Sequence, residues 1–327
     1  MPVGSPLLAL ASMRTDRERV ERALRDAVRT PDAYLNEIAL HLIVAGGKRL
    51  RPALAIVGAQ SVDDGVVSDD VIRGGIACEL VHLGSLYHDD VMDEAETRRG
   101  VETVNARWGN LQAILAGDFL LARASEIAAS LGTEVAGLLA RTIARLCEGQ
   151  IEELRHTYDV SRSVPSYLLS IEGKTASLFA TAARIGAIVA GHDRPRVEAL
   201  TNYGTAYGMV FQIVDDVLDV IATDEELGKR AGHDMEEGVY TLPVLLTLAQ
   251  GDAPADHLRG LLGGPLGGAE RETALRIVRA GLGVKHAIET AWDYVALAEA
   301  ECAKLPATDA VDALRAAPRV LLESVIR

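Results

Sequence analysis

Apolar residues recur every three or four positions along almost the whole chain, in long stretches rich in Ala, Leu, Ile, Val, Glu and Arg. Alternating β-branched runs are nearly absent, so the pattern predicts an all-α protein: one domain over residues 1–327, with roughly a dozen helices of ordinary length. Punctuation falls where helix boundaries need it. Thr30-Pro31 reads as an N-cap and first helical position, Arg51-Pro52 as a start, and Ser163, Pro195, Pro243 and Pro306 mark later starts. Segments 70–90, 105–130, 133–158, 165–190 and 195–222 are expected to form a core bundle around a deep central cavity, and Gly263 to Gly268 to form a surface loop. The apolar run Pro6 to Ala11 is too short for a secretory signal, and about the first 12 residues are expected to be flexible. No uninterrupted apolar stretch approaches the length of a membrane span, since even Leu178 to Gly191 carries Arg184.

Charge narrows the function. With 33 Lys+Arg against 47 Asp+Glu, a formal charge of −14, the chain lacks the broad basic footprint that nucleic acid requires, and a divalent cation becomes the more interesting partner. Cys78, Cys147 and Cys302 are odd in number and far apart, neither a disulfide framework nor a zinc pattern, which fits a reducing cytoplasm.

In His88-Asp89-Asp90-Val91-Met92-Asp93, Asp89 and Asp93 are four apart and share one helix face. Like charges there repel, and anions near a helix C-terminus oppose its dipole, so the arrangement asks for a counter-cation. Hard carboxylate oxygens suggest Mg²⁺. Alone, such a cluster is as readily an idle solvated turn. A second copy, Asp215-Asp216-Val217-Leu218-Asp219, lies inside an otherwise apolar helix and tips the balance. Asp89, Asp90, Asp93, Asp215, Asp216 and Asp219 are thus candidate metal ligands, and metal ions held between two carboxylate faces would bind diphosphate oxygens. Basic residues suited to complete such a site lie in Gly46-Gly47-Lys48-Arg49-Leu50-Arg51-Pro52, in Arg98-Arg99-Gly100, and at Lys174 and Lys229.

These pieces, with GDFLLARA (117–124), GQ (149–150), GKTASLF (173–179), FQIVDDVLD (211–219) and GKRAGHDMEEGVYTLP (228–243), resemble the trans-isoprenyl diphosphate synthases in order and spacing from about Leu35 to Leu246. The resemblance implies an isoprenoid synthase fold, usually a homodimer, that uses about three Mg²⁺ ions to condense isopentenyl diphosphate head-to-tail with an allylic diphosphate. By position, Lys48, Arg51, His82 and Arg99 match the isopentenyl diphosphate ligands, and Arg98, Lys174, Thr175, Gln212 and Lys229 match groups facing the allylic substrate. Asp89, Asp93 and Asp215 match the metal ligands, and together with Lys174, Thr175 and Gln212 they make up the catalytic set. One departure is Val239, where the family often has lysine; Arg230 is placed to compensate. His88 is read as a structural hydrogen-bonding residue.

In this family bulky side chains on the helix before the first aspartate cluster stop chain growth. Here that face reads Ser85 and Gly84, then His82 and Val81, then Cys78 and Ala77, then Gly74, with no aromatic. Over fifteen residues this is about 22 Å at helical rise, room for roughly five isoprene units. Ala122, Ala124, Ser125, Ala128 and Ala129 are expected to face it, with Phe119 and Leu121 as narrowing residues. A long-chain product follows, suited to a quinone side chain, with peripheral membrane contact a route for its release. Small residues that merely allow close helix packing are the plain alternative for this face. Farnesyl or geranylgeranyl diphosphate synthase and a subunit of a heteromeric synthase are the rival functions. A terpene cyclase is disfavoured by the second aspartate cluster and the GGKRLRP segment.

Overall fold

A computed structural model describes residues 4–63, 65–223 and 231–326. The chain is helical nearly throughout: α1 Pro6–Ala9, α2 Met13–Ala27, α3 Ala33–Val44, α4 Leu50–Ala59, α5 Asp69–Met92, α6 Val104–Trp108, α7 Asn110–Ser130, α8 Thr133–Leu154 and α9 Val164–Ile171. A π-helical turn, Glu172–Ala176, leads into α10 Ser177–Val189 and the long α11 Arg194–Ile221. Then come α12 His233–Glu236, α13 Leu242–Leu248, α14 Ala253–Leu261, α15 Gly268–Ala280, α16 Gly283–Cys302 and α17 Asp309–Glu323. No helix among the described residues is long and apolar enough to cross a membrane.

Two apolar clusters form the interior. One gathers α2 to α5, α7 and α10 around the N-terminal half of α11, and the other gathers α13 to α16 around its C-terminal half. The long α11 therefore ties the bundle together. Its cap is Asp193, whose side chain accepts from the Arg196 amide, and α5 is capped likewise by Ser68 with Asp69 and Asp70 favouring its N-terminal dipole.

Several predicted boundaries need correction. The α3 helix starts at Ala33, not after Thr30, because Asp32 accepts the amides of both Tyr34 and Leu35 and so outcompetes Thr30 as cap. Pro306 precedes the actual cap, Thr308, by two residues. Within the first dozen residues Leu7 is fully buried, and α1 packs against α4 and α17. Among the described residues the one sheet is a hairpin of two-residue strands, β1 Thr97–Arg98 with β2 Val101–Glu102, turned by Arg99 and Gly100, both at positive φ.

Candidate active site

The two aspartate clusters meet one cavity from α5 and α11, but each splits by helix rotation. Asp215, exposed, and Asp89, half-buried, line the cavity, Asp93 is exposed one helical turn beyond Asp89, and Asp90, Asp216 and Asp219 are buried. Asp90 accepts from Arg98 Nε at 2.5 Å, Asp216 is bound by Tyr167 and Gln212, and Asp219 accepts the Asp234 amide. Of the six expected metal ligands, Asp89 and Asp215 therefore face the cavity directly. Asp90 and Asp216 have protein partners, and Asp219 turns toward α12, since consecutive helical positions diverge by about 100°. Burial pushes the Asp89 carboxyl up against the pull of Lys174 and Arg98, and burial with the like charges of Glu237 and Asp89 pushes Asp93 to about 6. A cation would relieve both. Among the described residues no three acidic, imidazole or thiol side chains come together closely enough to hold a metal ion by themselves.

The arginine-rich segment before α4 lines a second cavity of about 390 Å³. Its geometry depends on Arg49, which sits in the left-handed region at φ 52° and is almost fully buried. Three contacts hold it there: Nε to Glu21 at 2.7 Å, Nη2 to the Ile43 carbonyl at 2.8 Å, and Nη1 to Glu79 at 3.2 Å. With Arg49 anchored inward, Lys48, Arg51, His82 and Arg99 line the cavity. Arg99 donates to the Leu42 and Gly46 carbonyls, and the Arg51 guanidinium lies 4.6 Å from the Phe179 ring centre. Burial lowers Arg51 to about 10, so it stays cationic near neutrality, and its buried Nε–H has no partner. Burial and the surrounding arginines hold the His82 imidazole neutral. An unpartnered guanidinium N–H in a basic cavity fits an anionic, multidentate ligand such as diphosphate. The sequence places Arg49 among the basic candidates but does not show its inward anchoring, and it leaves Glu79 unmarked as its partner. A readable signal existed for Glu79, a lone charge in the apolar run Cys78 to Val81.

Arg51, His82 and Phe211 also wall the main cavity, about 490 Å³, so the two cavities adjoin. Ser85, Asp89 and Met92 of α5 line one side, Leu146, Gln150, Ile151 and Leu154 of α8 the other, with Lys174, Thr175 and Gln212 between. Lys174 donates to Glu153 at 2.6 Å. Burial works against its charge, but Glu153 and Asp89 outweigh it and keep the ammonium protonated. Lys174 and Thr175 belong to the π-turn, which α8 approaches through Gly149. A Cβ on Gly149 would lie 2.4 Å from the Lys174 amide nitrogen and 2.6 Å from the Ser170 carbonyl oxygen. Gly149→Ala is accordingly expected to push the π-turn away, costing about 1–3 kcal/mol of stability and most of the activity, to be measured by denaturant titration and steady-state kinetics. Lys229 and Arg230 lie outside the described residues. Val239 donates its amide to the Asp234 carbonyl.

The small residues of α5 fall on two faces. Ser85 lines the cavity, with Val81 and Cys78 buried below it on the same stripe. Gly84 instead abuts α7, where a Cβ would stand 3.0 Å from the Gly117 carbonyl oxygen, and Ala77, seven residues earlier, shares that direction. Close packing rather than chain accommodation explains these two. Gly117 in turn makes room for His88, whose Nε2 lies 3.1 Å from the Ile114 carbonyl oxygen, a structural contact. The predicted facing wall also needs correction. Ala124 and Ala128 are core residues, Ala122, Ser125 and Ala129 are exposed, and α8 rather than α7 faces α5 across the cavity. Below, the stripe is packed, with Ile185 against Gly74, so the open part spans His82 to Met92, about 15 Å.

A helical bundle whose cavity joins a basic pocket to carboxylates and an apolar cleft is an enzyme site for an anionic substrate with an apolar tail. The chain belongs to the polyprenyl synthetase family, whose model matches residues 32–278. It is an enzyme of the trans-polyprenyl diphosphate synthase class, a prenyltransferase. The chain is 41% identical to the nonaprenyl diphosphate synthase of Mycobacterium tuberculosis over 90% of this chain and 88% of that one. It is 40% identical to the geranylgeranyl diphosphate synthase of Methanosarcina mazei, over 66% and 68%. A polyprenyl synthase from Caulobacter crescentus, solved with calcium and isoprenyl diphosphate, superposes with a TM-score of 0.89 at 35% identity, covering 100% of this chain and 99% of that one.

Proposed function

We propose that the enzyme condenses isopentenyl diphosphate, bound in the basic cavity by Lys48, Arg51, His82 and Arg99, with an allylic diphosphate in the main cavity. Asp89, Asp93 and Asp215 are the Mg²⁺ ligands in this reading, supported by Asp89 and Asp215 lining the cavity, by hard oxygen donors and by the repulsion between Asp89 and Asp93. Magnesium bound there supplies Lewis acidity toward the departing diphosphate. Lys174 and Arg98 add positive charge beside it. The allylic C–O bond breaks with its electron pair leaving on diphosphate, and the alkene electrons of isopentenyl diphosphate form the new C–C bond. A proton is then lost, with the released diphosphate as base. The Thr175 hydroxyl, the Gln212 amide oxygen and the Lys174 carbonyl face the transient cation as fixed dipoles.

The product is a long prenyl chain. What supports this is the 41% identity to a nonaprenyl diphosphate synthase, together with a cavity side of α5 that offers Ser85 and no aromatic above the point where Ile185 packs on Gly74. Tyr87, the single Phe, Tyr or Trp of α5, points away and donates to the Ile38 carbonyl at 2.8 Å. Incubation of the purified chain with Mg²⁺, an allylic starter and labelled isopentenyl diphosphate, followed by chromatography, is expected to give products longer than geranylgeranyl diphosphate. Arrest at that length or shorter would identify a short-chain synthase, and no elongation without a second chain would identify a subunit. The expected homodimer would cover Leu111, Ile114 and Leu115, exposed apolar residues on one face of α7.

A further inference from the structure

Four side chains behind the main cavity form one hydrogen-bonded chain. Tyr167 of α9 donates its hydroxyl to Asp216 Oδ2. Gln212 Nε2 donates to Asp216 Oδ1 at 2.8 Å, and Thr175 Oγ1 donates to Gln212 Oε1 at 2.7 Å. Tyr167 and Asp216 are 1% and 3% exposed, whereas Thr175 and Gln212 line the cavity. The direction of the chain matters more than its existence. A primary amide turned by 180° keeps its shape but exchanges an oxygen for an NH₂ group. With the Tyr167 hydroxyl on Oδ2, Oδ1 is left as an acceptor that only the NH₂ of Gln212 satisfies. The amide oxygen must then face Thr175, whose single hydroxyl hydrogen is drawn to it. Both hydroxyl hydrogens and one hydrogen of the Gln212 NH₂ are thus spent within the chain, and both cavity-lining oxygens keep lone pairs for what the cavity holds.

We infer that Tyr167 and Asp216 are positioning residues that lock the Gln212 amide and, through it, the Thr175 hydroxyl with their oxygens toward the reacting carbon. This rests on the reading above, in which a cation forms beside those two oxygens. Asp216 then serves orientation, not metal binding, despite standing within the second aspartate cluster.

The test compares two ligands on the same protein. One is an ammonium analogue of the allylic diphosphate, with a protonated nitrogen in place of the carbon that becomes cationic. The other is its neutral carbon isostere. Wild type is expected to prefer the ammonium analogue, and Tyr167→Phe and Asp216→Asn to reduce that preference by about tenfold, the scale of one charge-assisted hydrogen bond. Binding of the isostere and the Mg²⁺ requirement should stay unchanged. The ratio cancels any loss of folded fraction, and the isosteric Phe leaves the ring in place. An unaltered preference in both variants overturns the inference, as does a many-fold rise in the Mg²⁺ requirement of Asp216→Asn with the preference intact. Absence of any preference in wild type would instead remove the underlying reading of Thr175 and Gln212.

Discussion

Replacing Asp93 by Asn is expected to lower kcat by about a thousandfold while raising the melting temperature of the ligand-free protein. On the proposed function the loss follows from removing one metal ligand, since Lewis-acid stabilisation of a leaving diphosphate is worth several kcal/mol and each 1.36 kcal/mol is tenfold in rate. The gain follows from electrostatics. Burial and the like charges of Glu237 and Asp89 push Asp93 to about 6 from the 3.8 of a free carboxyl, so its ionised form opposes folding. The folded state therefore binds the proton more tightly than the unfolded state, and Asp93 costs stability progressively as pH rises through the window from 3.8 to 6. Because much of the side chain is open to water, the cost at neutral pH is about 1 kcal/mol, or roughly 2 °C. The difference in melting temperature between Asp93→Asn and wild type should thus grow from pH 4 to pH 7 in scanning calorimetry.

The second large effect concerns product length. Ser85→Phe places an aromatic ring about 6 Å below Asp89 on the cavity stripe, roughly one isoprene unit into the chain's path. The product distribution should collapse by several isoprene units, while consumption of the first isopentenyl diphosphate stays near wild type. Chromatography of dephosphorylated products reads both quantities, and an unchanged distribution would show that the chain does not pass Ser85. The same substitution at Gly84 should instead destabilise the fold, since its added atoms run into the Gly117 backbone. The pair separates a cavity role from a packing role on adjacent residues.

Periodicity was enough to place α5, α8 and α11, because each buries a continuous apolar stripe, and like-charge spacing was enough to find both aspartate clusters. Rotation about the helix axis was not legible. That Asp89 rather than Asp90 meets the cavity goes with the hairpin bringing Arg98 to Asp90, and Asp216 turns inward because Tyr167, 49 residues earlier, supplies a hydroxyl. Small residues were ambiguous for a similar reason: Ser85 leaves room for a ligand, while Gly84 leaves room for Gly117, and spacing alone reads the same for both. The left-handed Arg49 has no sequence mark, since only its three distant partners make that conformation tenable. Docking of α1 was missed because four residues carry too little pattern, although Leu7 fills a core position.

The π-turn at Glu172–Ala176 acts as a phase shifter. A helical rod running unbroken from Val164 to Val189 would keep one apolar stripe in register, yet this one must serve two interiors. Tyr167 and Ile171 belong to the second cluster, whereas Leu178, Phe179 and Ala182 belong to the first. One residue added to a single turn rotates everything beyond it by about 100°, and that slip lets the same rod change partners midway. Lys174 and Thr175 stand at the slip itself. Deleting one residue there would restore a regular helix and also misalign both interiors, so these two cavity-lining residues are held at the one point of the rod where its register cannot be made uniform.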